Sequence, residues 1–114
     1  MKPKKPQKHR HLPAFILLTL AEGPAHGGAI YSSLINKLPN FTCDAGAIYR
    51  TLQQLEEDKS VLFSWDTSNS GPARKIYSIT DLGLANLDNW RTDIEDRVKN
   101  LRYFLDKYND LKSK

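Results

Sequence analysis

Residues 44–57 read Asp44-Ala45-Gly46-Ala47-Ile48-Tyr49-Arg50-Thr51-Leu52-Gln53-Gln54-Leu55-Glu56-Glu57, and this stretch decides the fold. Asp44 is a good helix N-cap, because its carboxylate accepts a hydrogen bond from a backbone N–H that the first turn leaves free. Ile48, Leu52 and Leu55 follow at i, i+4 and i+7, which puts them on one face of a helix at about 100° per residue. The opposite face carries Gly46, Arg50 and Gln53, flanked by Tyr49 and Gln54. That face is polar, rich in donors and short of bulk at its start.

Upstream, residues 12–21 form a short helix that is apolar nearly all round, with Pro13 in its first turn and Gly23-Pro24 ending it, so it must be buried. Residues 27–38 place Ile30, Leu34, Ile35 and Leu38 at helical spacing and stop at Pro39-Asn40. Downstream, residues 61–66 and 75–79 alternate apolar with other residues, Val61, Phe63 and Trp65 on one strand and Tyr77 and Ile79 on the other. The turn-forming stretch 67–72 joins them into a β-hairpin with a mobile tip. Thr80-Asp81 then opens a long helix. Leu87, Trp90, Ile94, Val98, Leu101, Leu105 and Tyr108 recur in it at steps of three and four, and only Thr80 and Gly83 weaken it.

The fold class is therefore mainly α with a small β-hairpin (α+β). Three helices followed by a hairpin is the order of a winged helix-turn-helix, whose third helix enters a DNA major groove. The chain divides into a basic flexible arm over residues 1–11, a winged helix-turn-helix DNA-binding domain over 12–80 and a C-terminal helix over 81–114. That helix extends about 45 Å at 1.5 Å per residue, whereas a compact globule of this length is about 34 Å across. Its own domain cannot cover it. The projecting stripe of Leu87, Trp90, Ile94, Val98, Leu101 and Leu105 predicts a homodimer through this helix. A 4-4 step in the stripe argues against a long regular coiled coil.

The formal net charge is +4, and its placement matters more than its size. Residues 1–11 hold Lys2, Lys4, Lys5, Lys8 and Arg10 with no acid, while the helix from Asp81 onward is balanced, seven cations against seven acids. A basic arm on a nearly neutral body suits a polyanion such as DNA, although lysine-rich termini also serve as solubilising tails. The longest apolar run, residues 14–21, is too short for a membrane span of roughly 20 residues. The N-terminus lacks a cleavage pattern and is not read as a signal peptide. The single cysteine, Cys43, excludes an internal disulfide and fits a reducing cytoplasm.

Three stretches then converge on one family. Gly23-Pro24-Ala25-His26-Gly27, the helix from Gly46 through Glu57, and Gly71-Pro72-Ala73-Arg74-Lys75-Ile76-Tyr77-Ser78-Ile79-Thr80-Asp81-Leu82-Gly83 resemble the signature stretches of the PadR-like transcriptional regulators. The likeness runs from about Leu12 to Trp90 with its spacing kept. It implies a bacterial cytoplasmic repressor, nucleoid-associated when bound, dimeric through its C-terminal helix and bound to a double-stranded operator with inverted half-sites. The single C-terminal helix is similar to the smaller subgroup of the family. The chain length and lysine-rich arm are similar to clock-associated cyanobacterial members, which implies repression of a circadian gene. Three departures stand out. Gly28 replaces the aromatic usual after His-Gly, Arg50 replaces a frequent proline, and Lys59-Ser60 replaces the glycine that normally closes the third helix. Either a left-handed cap forms at Lys59 at a cost of roughly 1 kcal/mol relative to glycine, or the turn differs from that of the family.

The resemblance implies a place for Tyr49 at the DNA surface, bonding a phosphate or a base edge; a half-buried helix aromatic is the alternative. Arg50 has the chemistry to bind phosphate or read guanine O6 and N7 bidentately, and Gln53 and Gln54 to pair with adenine; each also reads as a solvated surface residue. Arg74 and Lys75 put cations where a wing meets phosphates, or protect a strand edge. Lys5, Lys8 and Arg10 of the arm suit the backbone or a minor groove. The resemblance also implies a hydrophobic effector pocket near Trp90, with core packing as the alternative and the effector itself unknown. Cys43 reads as a thiol sensor or a small buried residue. No catalytic set, cofactor cradle or metal site can be assembled from His9, His11 and His26, so an enzyme is not expected. The competing class is a protein interaction module that uses the same helix face. It has no need for Arg50, Arg74 and Lys75 to converge.

Overall fold

The structure, a computed structural model, describes residues 10–114; Lys5 and Lys8 of the basic arm lie outside the described residues. Four helices, α1 (Leu12–Glu22), α2 (Gly27–Lys37), α3 (Ala45–Glu57) and α4 (Asp81–Lys112), combine with strands β1 (Ala25–His26), β2 (Val61–Asp66) and β3 (Arg74–Ile79). The strands form one antiparallel sheet in the order β1-β3-β2. The expected two-stranded hairpin thus gains a third strand. Ala25 and His26 pair with Tyr77 and Ile76 and tie the start of α2 to the wing.

The core follows from the apolar spacing. Leu12, Ile16, Leu17 and Leu20 of α1 meet Ile30 and Leu34 of α2, Ile48, Leu52 and Leu55 of α3, and Val61 and Tyr77 of the sheet. Asp44 caps α3 as its sequence requires, its Oδ1 accepting from the Ala47 N–H at 2.7 Å. On β2 only Val61 of the alternating face is buried; Phe63 and Trp65 are exposed at 40% and 59%. Trp65 borders the open space beside α3 instead of entering the core, and the Phe63 ring meets it edge-on at 5.7 Å.

Lys59 adopts a φ of 66°, so the turn keeps the left-handed conformation without the glycine that would adopt it freely. Ser60, next in the chain, is fully buried and joins three elements. Its N–H donates to the Leu55 carbonyl, its carbonyl accepts from the Thr80 N–H, and its Oγ accepts from Asn86 Nδ2. Thr80, read from sequence as a weak residue of the last helix, is the N-cap of α4, its hydroxyl accepting from the Gly83 N–H at 3.0 Å.

The helix α4 has 32 residues, about 48 Å at 1.5 Å per residue. The Cα radius of gyration is 17.5 Å and the longest extent 64 Å, against roughly 13 Å for a compact chain of similar length. The first third of α4 packs on the core through Leu87 and Trp90. Beyond Val98 every residue is exposed.

Candidate nucleic-acid interface

A concave space of about 690 Å³ opens between the start of α2, the outer face of α3 and the inner face of the wing. Tyr49, Gln53, Arg74 and Lys75 line it together, with His26, Gly27, Glu56 and Trp65 completing the wall. Four side chains singled out from separate stretches of sequence thus share one surface. Gln54 does not join them. It lines a second space of about 490 Å³ between α1, the end of α3 and α4, together with Arg10 and Trp90.

Close packing against α2 fixes the position of Tyr49. A Cβ on Gly27 would lie 2.5 Å from Tyr49 Cε1, so Gly27 is the residue that lets the start of α2 rest on that ring. Tyr49 nevertheless remains 51% exposed. Arg50 folds back over Gly46 towards the N-cap, its Nη2 3.7 Å from Asp44 Oδ1. Both side chains are well exposed, and an ion pair of that kind contributes little, so the guanidinium is available to a stronger anion.

The wing is tied to the helices at two points. His26 Nδ1 donates to the Lys75 carbonyl at 3.0 Å, and His26 Nε2 lies 3.1 Å from Asp66 Oδ2. The Ser68 hydroxyl and N–H, which both donate to Asp66, hold its carboxyl below the usual range, with smaller contributions from His26 and Arg74. The second tie is Lys75, whose Nζ lies 3.4 Å from Glu56 Oε1 and 4.0 Å from the centroid of the Phe63 ring. Burial pushes the Tyr77 phenol up, and the Glu56 carboxylate beside it adds to the shift.

Trp90 is half-buried, packs against the core and meets the His11 ring edge-on at 6.0 Å. The space beside it has Gln54, Asp58, Asn86, Asn89 and Asp93 in its wall as well as Leu17 and Leu55. Pro13 and Trp90 also border it, so apolar and polar groups share that wall. Among the described residues, no three His, Cys, Asp or Glu side chains group into a metal site, and no helix is long and apolar enough to cross a membrane.

Cys43 is partly buried, and burial followed by the adjacent Asp44 charge pushes its thiol up from an ordinary 9.0. Since the thiolate is the reactive form, slow alkylation by iodoacetamide at pH 7.5, slower than that of free cysteine, is the expected result. Reaction as fast as the free thiol would restore the sensor reading.

The apolar stripe of α4 splits into two parts. Leu87 and Trp90 are partly satisfied by their own chain, and Ile94 is half-buried. Val98, Leu101 and Leu105 stand 50%, 64% and 51% exposed, joined by Phe104, Tyr108 and Leu111. At 100° per residue these six continue the face that carries Leu87 and Trp90.

Compared with known proteins, the transcriptional regulator PadR-like family model matches residues 16–89. No curated protein matches the chain. Among solved structures, TM0937, a conserved protein of unknown function and a potential transcriptional factor, has a TM-score of 0.81 at 29% identity, over 99% of this chain and 100% of that one. The PadR family transcriptional regulator of Eggerthella lenta has a TM-score of 0.75 at 26% identity, over 86% of this chain and 84% of its own. Bacillus subtilis PadR in complex with operator DNA has a TM-score of 0.66 at 26% identity, over 72% of this chain and 47% of its own.

Proposed function

Since this chain belongs to the PadR-like family of transcriptional regulators, we propose that it is a homodimeric, sequence-specific repressor that binds double-stranded DNA. The convergence of Tyr49, Gln53 and Arg74 on one concave surface carries the reading; Arg50, on the same helix, does not line that space and lies over Gly46 beside Asp44. Residues 12–80 form the DNA-binding unit and residues 81–114 the dimerisation helix. The start of α3 enters the major groove, where Arg50 reads a guanine or holds a phosphate, Gln53 faces a base and Tyr49 bonds the backbone. Arg74, exposed at the start of β3, contacts a flanking phosphate. The arm residues Lys5, Lys8 and Arg10 add sequence-independent attraction.

Two copies joined through α4 place their recognition helices roughly 34 Å apart, the spacing of successive major grooves on one side of an inverted repeat. Occupancy of such an operator excludes polymerase, which is the basis for repression. The operator DNA bound by Bacillus subtilis PadR, a structural relative, supports the DNA reading for this chain. The link to a circadian gene rests on chain length and the lysine-rich arm alone, and no feature of the fold adds to it.

Selection from a random duplex library followed by affinity measurement tests the reading. Arg50→Ala is expected to weaken binding to the selected duplex by about 1–3 kcal/mol and to relax preference at one position of each half-site. Unchanged affinity and preference would remove Arg50 from the interface.

A further inference from the structure

Arg74 and Lys75 are adjacent cations, and side chains on a strand alternate between its faces. The register of the wing roots each on a different face, although both side chains border the concave space beside α3. Lys75 pairs across from Trp65, and Tyr77 from Phe63, so Lys75 shares the inward face with Tyr77, which is buried. Arg74 pairs across from Asp66 and is exposed.

The ammonium of Lys75 is also occupied. Glu56 Oε1 lies 3.4 Å away on α3, the Phe63 ring lies beneath it at 4.0 Å, and the Trp65 ring centroid is 5.9 Å off. The Lys75 and Glu56 side chains are only 35% and 22% exposed, so the pair is less screened than a surface ion pair. A cation over an aromatic face gains further attraction when partly desolvated. These contacts span the gap between the recognition helix and the outer half of β2, where Phe63 and Trp65 are exposed.

We propose that Lys75 is a positioning residue: bound between Glu56 and Phe63, it braces the wing against α3, and Arg74 alone of the two wing cations neutralises phosphate. This rests on the DNA-binding reading above for its consequence but not for its structure. The His26–Asp66 contact holds the far edge of the sheet, so loss of the Lys75 brace loosens the wing without unfolding it.

The test compares wild type, Lys75→Met, Lys75→Glu and the charge-swapped pair Glu56→Lys with Lys75→Glu, by hydrogen exchange and by DNA titration over a range of salt. In Lys75→Met, β2 and β3 amides are expected to exchange about tenfold faster while the α1 and α3 core is unchanged. Affinity falls about tenfold with the salt slope kept, whereas a lost phosphate contact lowers the slope by about 0.9 per site. Lys75→Glu binds worst, and the swapped pair recovers only part of the loss, because an opposite pair is restored while no cation lies over the Phe63 ring. Unchanged wing exchange in Lys75→Met, a reduced salt slope, or a swapped pair no better than Lys75→Glu would each overturn the brace. A wild type that binds no duplex refutes the DNA reading instead, and wing exchange still decides whether Lys75 braces the wing.

Discussion

Replacing Gly83 with alanine lowers stability by about 2–3 kcal/mol, although alanine is the better helix former by nearly 1 kcal/mol. Gly83 lies in the first turn of α4 and is its one fully buried residue. A Cβ there would overlap the Ser60 carbonyl oxygen and lie 2.6 Å from Ile79 Cγ1. Neither neighbour can yield cheaply. The Ser60 carbonyl is held by the Thr80 N–H and hydroxyl, and Ser60 itself is fixed by Leu55 and Asp58. The methyl therefore forces α4 away from the end of α3 and from the wing together. Thermal unfolding should show a midpoint lower by several degrees for each kcal/mol lost. A midpoint equal to or above that of wild type would mean that the α3–α4 junction is loosely packed.

The second large effect concerns α4. Leu101→Glu with Leu105→Glu is expected to give a folded monomer, because both side chains are exposed and touch no part of their own core. The aliphatic and aromatic stripe from Val98 to Leu111 is more than scattered surface hydrophobicity, and in the proposed dimer a second copy of the same stripe would cover it symmetrically. Light scattering should give half the wild-type mass, with the helical circular dichroism signal lower only by fraying of the free end. Affinity for a two-half-site duplex falls by roughly 100-fold or more as the second contact ceases to be intramolecular. A dimer surviving both substitutions would place the interface elsewhere. Trp90 is a poorer site for the same test, since its partial burial in the core makes loss of folding a competing outcome.

These junctions separate what the sequence expressed from what it did not. Local rules sufficed where one element decides its own form. Asp44 as cap and Ile48, Leu52 and Leu55 as the inward face follow from spacing and capping preference, whereas the left-handed Lys59, which backbone preference opposes, is decided by the packed turn. The length of α4 likewise announced a helix too long for its domain. Strand β1 was illegible, because Ala25-His26 is too short to carry a period and exists only by pairing with β3. Gly83 and Thr80 looked like defects of a helix when read within it. Across the chain they are its closest approach to Ser60 and its cap.

The site was legible in part for the same reason. Helical spacing put Tyr49, Arg50 and Gln53 on the outer side of α3, and the wing motif brought Arg74 and Lys75 near them. Spacing within α3 could only put Gln54 on a flank; the packing of α1 and α4 decides that it lines the second cavity. Nothing local pairs Lys75 with Glu56, which lies 19 residues earlier. His26, Gly27 and Trp65 were missed as members of the surface. A glycine at the helix start and an aromatic on the strand outside the core were the signals available for the last two.

The face built by α3 and the wing is proposed to bind DNA sequence-specifically in a dimer. The most direct test is titration of the wild-type chain against a fluorescent duplex from its own upstream region and against a random duplex, at several salt concentrations, with light scattering of the complex. Two chains per duplex and tighter binding to the upstream region are expected, with log affinity falling with log salt at a slope near −5 to −7, as for about six to eight neutralised phosphates. No binding to either duplex at low salt would contradict DNA recognition and assign the face to a protein partner.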